Sequence, residues 1–237
     1  MGETAGNGHS GGGAAIESVI ARMLAIEAGL PEADGVARFN DLYLAVTRQV
    51  AAELDAEEFE DPAFVAALDV VFASLYFAAV DAAVAGGTVA NAWEPLFESR
   101  SRPSVAPIQH ALAGMNAHIN YDLCLALTTA HADAGVELER GSPQHRDYLR
   151  LNEILERVQE RVKERFAQGL VGVADEALGR LDDVVAIWSV ARARDAAWTH
   201  AEVLWTLGPV EPLRTQYLAA MGRFVGLAGR GLLVPTL

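Results

Sequence analysis

Between Pro103 and Val136 the sequence carries no lysine, arginine or glutamate, and its only carboxylates there are Asp122 and Asp133. The apolar residues of this stretch recur at three- and four-residue steps, the period of an α-helix. A helix of that length on a surface needs a charged face. The segment from about Pro107 to Ala134 is therefore expected to run through the middle of a helical bundle. It nevertheless contains Gln109, His110, Asn116, His118, Asn120, Tyr121 and Asp122, and each of these must find a partner or cost about 1–3 kcal/mol. At about 100° per residue, Ile108, Leu112, Met115, Ile119 and Leu123 share one face. His110, His118 and Asp122 form a second band, with Gln109, Asn116 and Asn120 beside it. Gly114, between the two histidines, leaves room for a ligand or a neighbouring helix. The polar residues are expected to converge on a cavity.

The rest of the chain follows the same period, and no alternating β-branched run bounded by turns interrupts it. The fold class predicted is all-α: a single compact bundle of about eight helices, residues 14–237, behind a flexible glycine-rich tail, residues 1–13. With 237 residues and 51% apolar content the chain can bury a sizeable core. Ile16, Val19, Ile20, Met23 and Leu24 mark a first helix. Asp34 caps a second, and Pro62 opens a third that Gly86-Gly87 stops. A short helix surrounds Pro95, further helices follow Ser142-Pro143 and Asp175, and Pro212 opens a last one that loses definition among Gly226, Gly229 and Gly231. The formal charge of −14 repels phosphate backbones and anionic lipid. The expected partner is a small-molecule ligand or substrate, not nucleic acid or a membrane. The lone Cys124 requires no oxidising compartment, and with no signal peptide pattern the expected location is cytoplasmic.

His118 and Asp122 are four apart, one turn on, the spacing at which imidazole and carboxylate share a divalent ion such as Zn or Fe. Asp69 is the best third ligand, because it interrupts the inward stripe Val65, Leu68, Phe72, Leu75, Tyr76. His110 lies about 12 Å from His118 along the axis, too far for the same ion but available as a general acid or base. The expected catalytic set is thus His110, His118, Asp122 and Asp69. Tyr76, Gln109, Asn116, Asn120, Arg194 and Trp198 are expected to contact substrate, with Arg194 or Arg192 pairing with Asp69 or with an anionic ligand. A buried His–Asp pair that only fixes helix register is the structural alternative. His145 and Asp147 suit the capping of a first turn, Asn152 is placed to reach the pocket, and Asp182-Asp183 is half of an acidic diphosphate-binding pattern. No Walker A loop, GxGxxG, HExxH, GxSxG or CxxC occurs.

The segments LDVVFASLYFAAV, AWEPLFESR, QHALAGMNAHINYDL, HRDYLRLNEIL and ARARDAAW together resemble the bacterial family catalogued as domain of unknown function 5995, over most of the chain after the tail. The resemblance brings no activity with it. It implies that Asp69, Tyr76, Trp93, Gln109, His110, Asn116, His118, Asn120, Asp122, Asp147, Asn152, Arg194, Asp195 and Trp198 stand where the family's characteristic residues stand. The HxxxD on a buried helix is also similar to part of the ligand set of helical zinc-dependent phospholipases C and nucleases, whose other histidine-rich motifs are absent. Three readings stay open: a metal-assisted hydrolase of an ester or phosphoester, a metal-free acid–base cyclase or isomerase, and a non-catalytic ligand-binding protein.

Overall fold

The computed structural model describes residues 9–55, 59–155 and 190–235, which form helices joined by turns and loops, without a strand. Helices α1 (His9–Gly29), α2 (Gly35–Asp55), α3 (Pro62–Val84) and the short α4 (Glu94–Ser99) precede the central segment. That segment is α5 (Pro107–Ala117), a π-helical turn (His118–Asp122) and α6 (Leu123–Ala134). Residues 143–155 are helical and are called α7; α8 (Val190–Leu207) and α9 (Glu211–Leu232) follow. The chain is the all-α protein that its hydrophobic period predicts.

Local chemistry sets the boundaries. Asp34 precedes α2; its Oδ1 accepts the Val36 N–H at 2.8 Å, and its Oδ2 accepts Arg100 Nε at 2.8 Å. Asp61 caps α3 by accepting the Phe64 N–H at 3.0 Å, and Pro62 has no N–H to leave unsatisfied there. Gly135, at φ 66°, ends α6 in the left-handed conformation that a side chain would disfavour.

α1 starts at His9, ahead of the Ala14 expected, so Gly11 to Gly13 belong to a helix. The remainder of the tail, residues 1–8, lies outside the described residues. So do residues 156–189, with Asp182-Asp183 and the start of the helix expected after Asp175.

The central segment is buried as its lack of charge requires. Its α5 half packs between α2 and α9, and its α6 half between α3 and α8. Two glycine positions explain how closely. A Cβ on Gly114 would stand 2.4 Å from Phe39 Cγ, so the gap between His110 and His118 is filled by α2, not by a ligand. A Cβ on Gly226 would stand 2.4 Å from the Asn91 carbonyl oxygen. Gly222, Gly226 and Gly229 are thus a packing face, and α9 runs through them to Leu232, correcting the expectation that this helix loses definition. Among the described residues α3 alone is long and apolar enough to cross a membrane; here it packs against α1 and α6.

Candidate functional site

The central helix is regular except at His118–Asp122, where the Leu123 N–H reaches back five residues to the His118 carbonyl. Such π-turns recur at functional sites. The turn keeps His118 and Asp122 on one side, with His118 Nδ1 3.0 Å from Asp122 Oδ2. Trp93 Nε1 donates to the same Oδ2 at 3.0 Å. Two donors on one oxygen favour the carboxylate form of Asp122. Burial opposes them, raising the Asp122 carboxyl and lowering the His118 imidazole from their ordinary values. We assign the proton of the His118–Asp122 contact to Nδ1, because Trp93 already donates to the same carboxylate oxygen; Nε2 is then a lone-pair acceptor.

Rings hold the imidazole in place. Phe72 stacks on it at 3.5 Å between centroids and 5° between planes, and Tyr43 meets it edge-on at 4.5 Å. Nε2, at the edge away from Asp122, is buried with no hydrogen-bond partner among the described residues.

His118 lines a cavity of about 90 Å³ bounded by α2, α3, the central segment, α7 and α8. Among the described residues its wall is apolar apart from Tyr43, Asp69, His118 and Arg194. Asp69 Oδ2 is also buried and unpartnered, and burial pushes its carboxyl up to about 7. The Tyr43 hydroxyl feels both Asp69 and Asp122 and lies beside Thr47, outside hydrogen-bond geometry. Arg194, 5% exposed, reaches the cavity from α8. Its Nε donates to Asn152 Oδ1 at 2.6 Å, its Nη2 donates to the Tyr148 carbonyl at 3.0 Å, and its guanidinium lies 4.0 Å from the Tyr148 ring centroid.

Residues 16–235 match a family described as a family of unknown function (DUF5995). The chain belongs to this family. No curated protein and no solved structure matches it.

Of the residues through which the chain resembles the DUF5995 family, the structure gathers Asp69, His118 and Arg194 at the cavity, with Asp122, Trp93 and Asn152 bracing them. The others serve elsewhere. His110 sits under Gly35, its Nε2 3.0 Å from the Ser99 carbonyl, so it is no acid or base for this cavity. Gln109 accepts the Ala106 N–H and donates to the carbonyls of Leu232 and Val234. Asn116 donates to the Val225 carbonyl and accepts from Asn120. These three amides tie the central helix to its own start and to α9, and contact no substrate space. Tyr76 is wholly buried and donates to Asn40 Oδ1 at 3.2 Å instead of into the cavity. Trp198 packs on His145 and Tyr148 and donates to Glu202. Asp147 does cap, but across the fold: its two oxygens accept the N–H groups of Glu60 and Asp61 before α3.

The metal triad does not assemble. His118 turns its Nδ1 edge to Asp122, and the described residues hold no group of three His, Cys, Asp or Glu side chains placed to bind a metal. Arg194 forms no ion pair with Asp69. Tyr43 and Phe72, the ring neighbours of His118, read in the sequence only as inward-facing core.

Proposed function

We propose that this protein is a metal-free acid–base enzyme that isomerises or cyclises a small, largely apolar molecule. His118 is the general base, Asp122 the positioning residue that fixes its tautomer, and Asp69 the proton donor. The observation that carries this reading is the unpartnered Nε2 of His118, held in place from Nδ1 by Asp122, in the same cavity as the unpartnered Asp69 Oδ2. Leaving such atoms unmatched costs about 1–3 kcal/mol each.

The electrostatics suit the roles. Burial disfavours the charged imidazolium of His118, while Asp69, raised to about 7, keeps its proton toward neutral pH. Proton removal at one carbon of the ligand by Nε2 develops an imidazolium that Asp122 stabilises. Asp69 returns a proton at a second position. Apolar walls exclude the water that would quench the intermediate carbanion or enol. The hydrolase reading loses support because its ligand set does not converge.

The test uses 1,2-benzisoxazole, an apolar probe whose ring opens once a base removes its C3 proton. Wild-type protein is expected to release 2-hydroxybenzonitrile roughly a hundred times faster than His118→Ala, with Asp122→Asn similarly impaired. Equal rates in wild type and His118→Ala, or a wild-type rate no greater than buffer, would remove the proposal.

A further inference from the structure

The acid–base mechanism makes no use of Arg194, and the described fold does not neutralise it. A guanidinium carries five N–H donors. Here the Nε donor goes to Asn152 and one Nη2 donor to the Tyr148 carbonyl, both neutral acceptors. Both donors on Nη1 and one on Nη2 have no partner among the described residues. Asp69, on the same cavity, is not the missing counter-ion. Burial is the sole cause of its raised pKa, whereas an adjoining guanidinium would pull it down. A buried cation without a counter-ion among the described residues is expensive, yet this one is held by several contacts. Its head stacks on Tyr148, and the Tyr148 hydroxyl donates back to the Arg194 carbonyl at 2.7 Å.

We infer that the open edge of Arg194 anchors a carboxylate, and that the cavity takes an apolar monocarboxylate. One guanidinium compensates one negative charge, and the planar fork matches two carboxylate oxygens. A dianion such as a phosphate monoester would bring an unmatched charge beside Asp69, with no second cation among the described wall residues. Size narrows the class. A water needs about 10–15 Å³ on this measure, so a cavity of about 90 Å³ holds about six to nine non-hydrogen atoms. Benzoate and short branched-chain acids are of that size. The inference names the substrate class of the acid–base reading and rests on it for turnover, though not for binding.

The test is calorimetric titration of the full chain with benzoate and with its neutral isostere benzamide. Benzoate is expected to bind wild type at least about ten times more tightly than benzamide. Arg194→Met, which keeps the stem and removes the charge, should abolish that preference. Benzamide binding wild type as tightly as benzoate, or neither probe binding, overturns the inference without any variant, so a misfolded Arg194→Met protein cannot rescue it. An unchanged preference in folded Arg194→Met overturns it equally. His118→Ala separates the two readings: it should keep the benzoate preference while losing benzisoxazole opening. Should opening fail in wild type while the preference holds, the acid–base reading falls and the anchor stands.

Discussion

Asp69 is held where ionisation is costly, and the sign of that cost is open to test. Its folded-state pKa of about 7 lies above the ordinary value of 3.8, so between those values the folded protein retains a proton that the unfolded chain has lost. Stability therefore falls as pH rises from about 4 to about 7 and levels off above. That separation corresponds to on the order of 4 kcal/mol. Asp69→Asn mimics the protonated acid, so its advantage over wild type should grow from near zero below about pH 4 to that order above pH 7. Urea unfolding at pH 4 and pH 8 measures it, and an advantage that does not change with pH would show that Asp69 is solvated. The candidate site was legible at this scale where one residue broke a pattern: Asp69 in an apolar stripe, and His118 four residues before Asp122. It was illegible where the pattern was right but the partner was remote. Gln109, Asn116 and His110 announce a need for hydrogen bonds, and nothing local reveals that α9 carbonyls and the Ser99 carbonyl meet it. Arg194 was visible as a buried cation in want of an anion, but not the absence of Asp69 from its side.

Among elements, the order and the caps were legible because Asp, Pro and Gly punctuate the chain chemically. The π-turn was not, since one extra residue in a turn leaves the apolar spacing on either side nearly unchanged. Nor was the role of glycine, which signals weakness to a propensity argument and close approach to a packing one. Gly114→Ala separates the two. Alanine gains up to about 1 kcal/mol of helix propensity, but its Cβ would fall 2.4 Å from Phe39 Cγ and 2.7 Å from Phe39 Cβ, beside a ring that is 1% exposed. Overpacking of that kind costs about 1–3 kcal/mol, so net destabilisation is expected in urea. Gly226→Ala should cost more, because its obstacle is the backbone carbonyl of Asn91, which has no rotamer to change. A Gly114→Ala protein as stable as wild type would mean that Phe39 is not seated in that gap.

For the whole molecule, two independent boundaries coincide. The DUF5995 match begins at residue 16 and ends at residue 235; Ile16 is the first side chain described as buried and Leu233 the last. Ile16, Val19, Met23 and Ile26 are the inward stripe by which α1 lies against α2 and α3. Gly13 and Ala14 ahead of that stripe are exposed. The described burial of α1 begins at Ile16, and stability follows burial. A chain starting at Ala14 should match the full chain to within about 0.5 kcal/mol, because it keeps the whole inward stripe from Ile16 onward. A chain starting at Ala21 also loses Ile16 and Val19. At about 1.5–3 kcal/mol for each buried aliphatic side chain, that removes roughly 3–6 kcal/mol from a total that is about 5–15 kcal/mol for typical domains. Urea midpoints of the two truncations decide the matter: a loss above about 1 kcal/mol at Ala14 would place part of the fold ahead of the inward stripe, and an unperturbed Ala21 chain would mean that the upper half of α1 contributes no core.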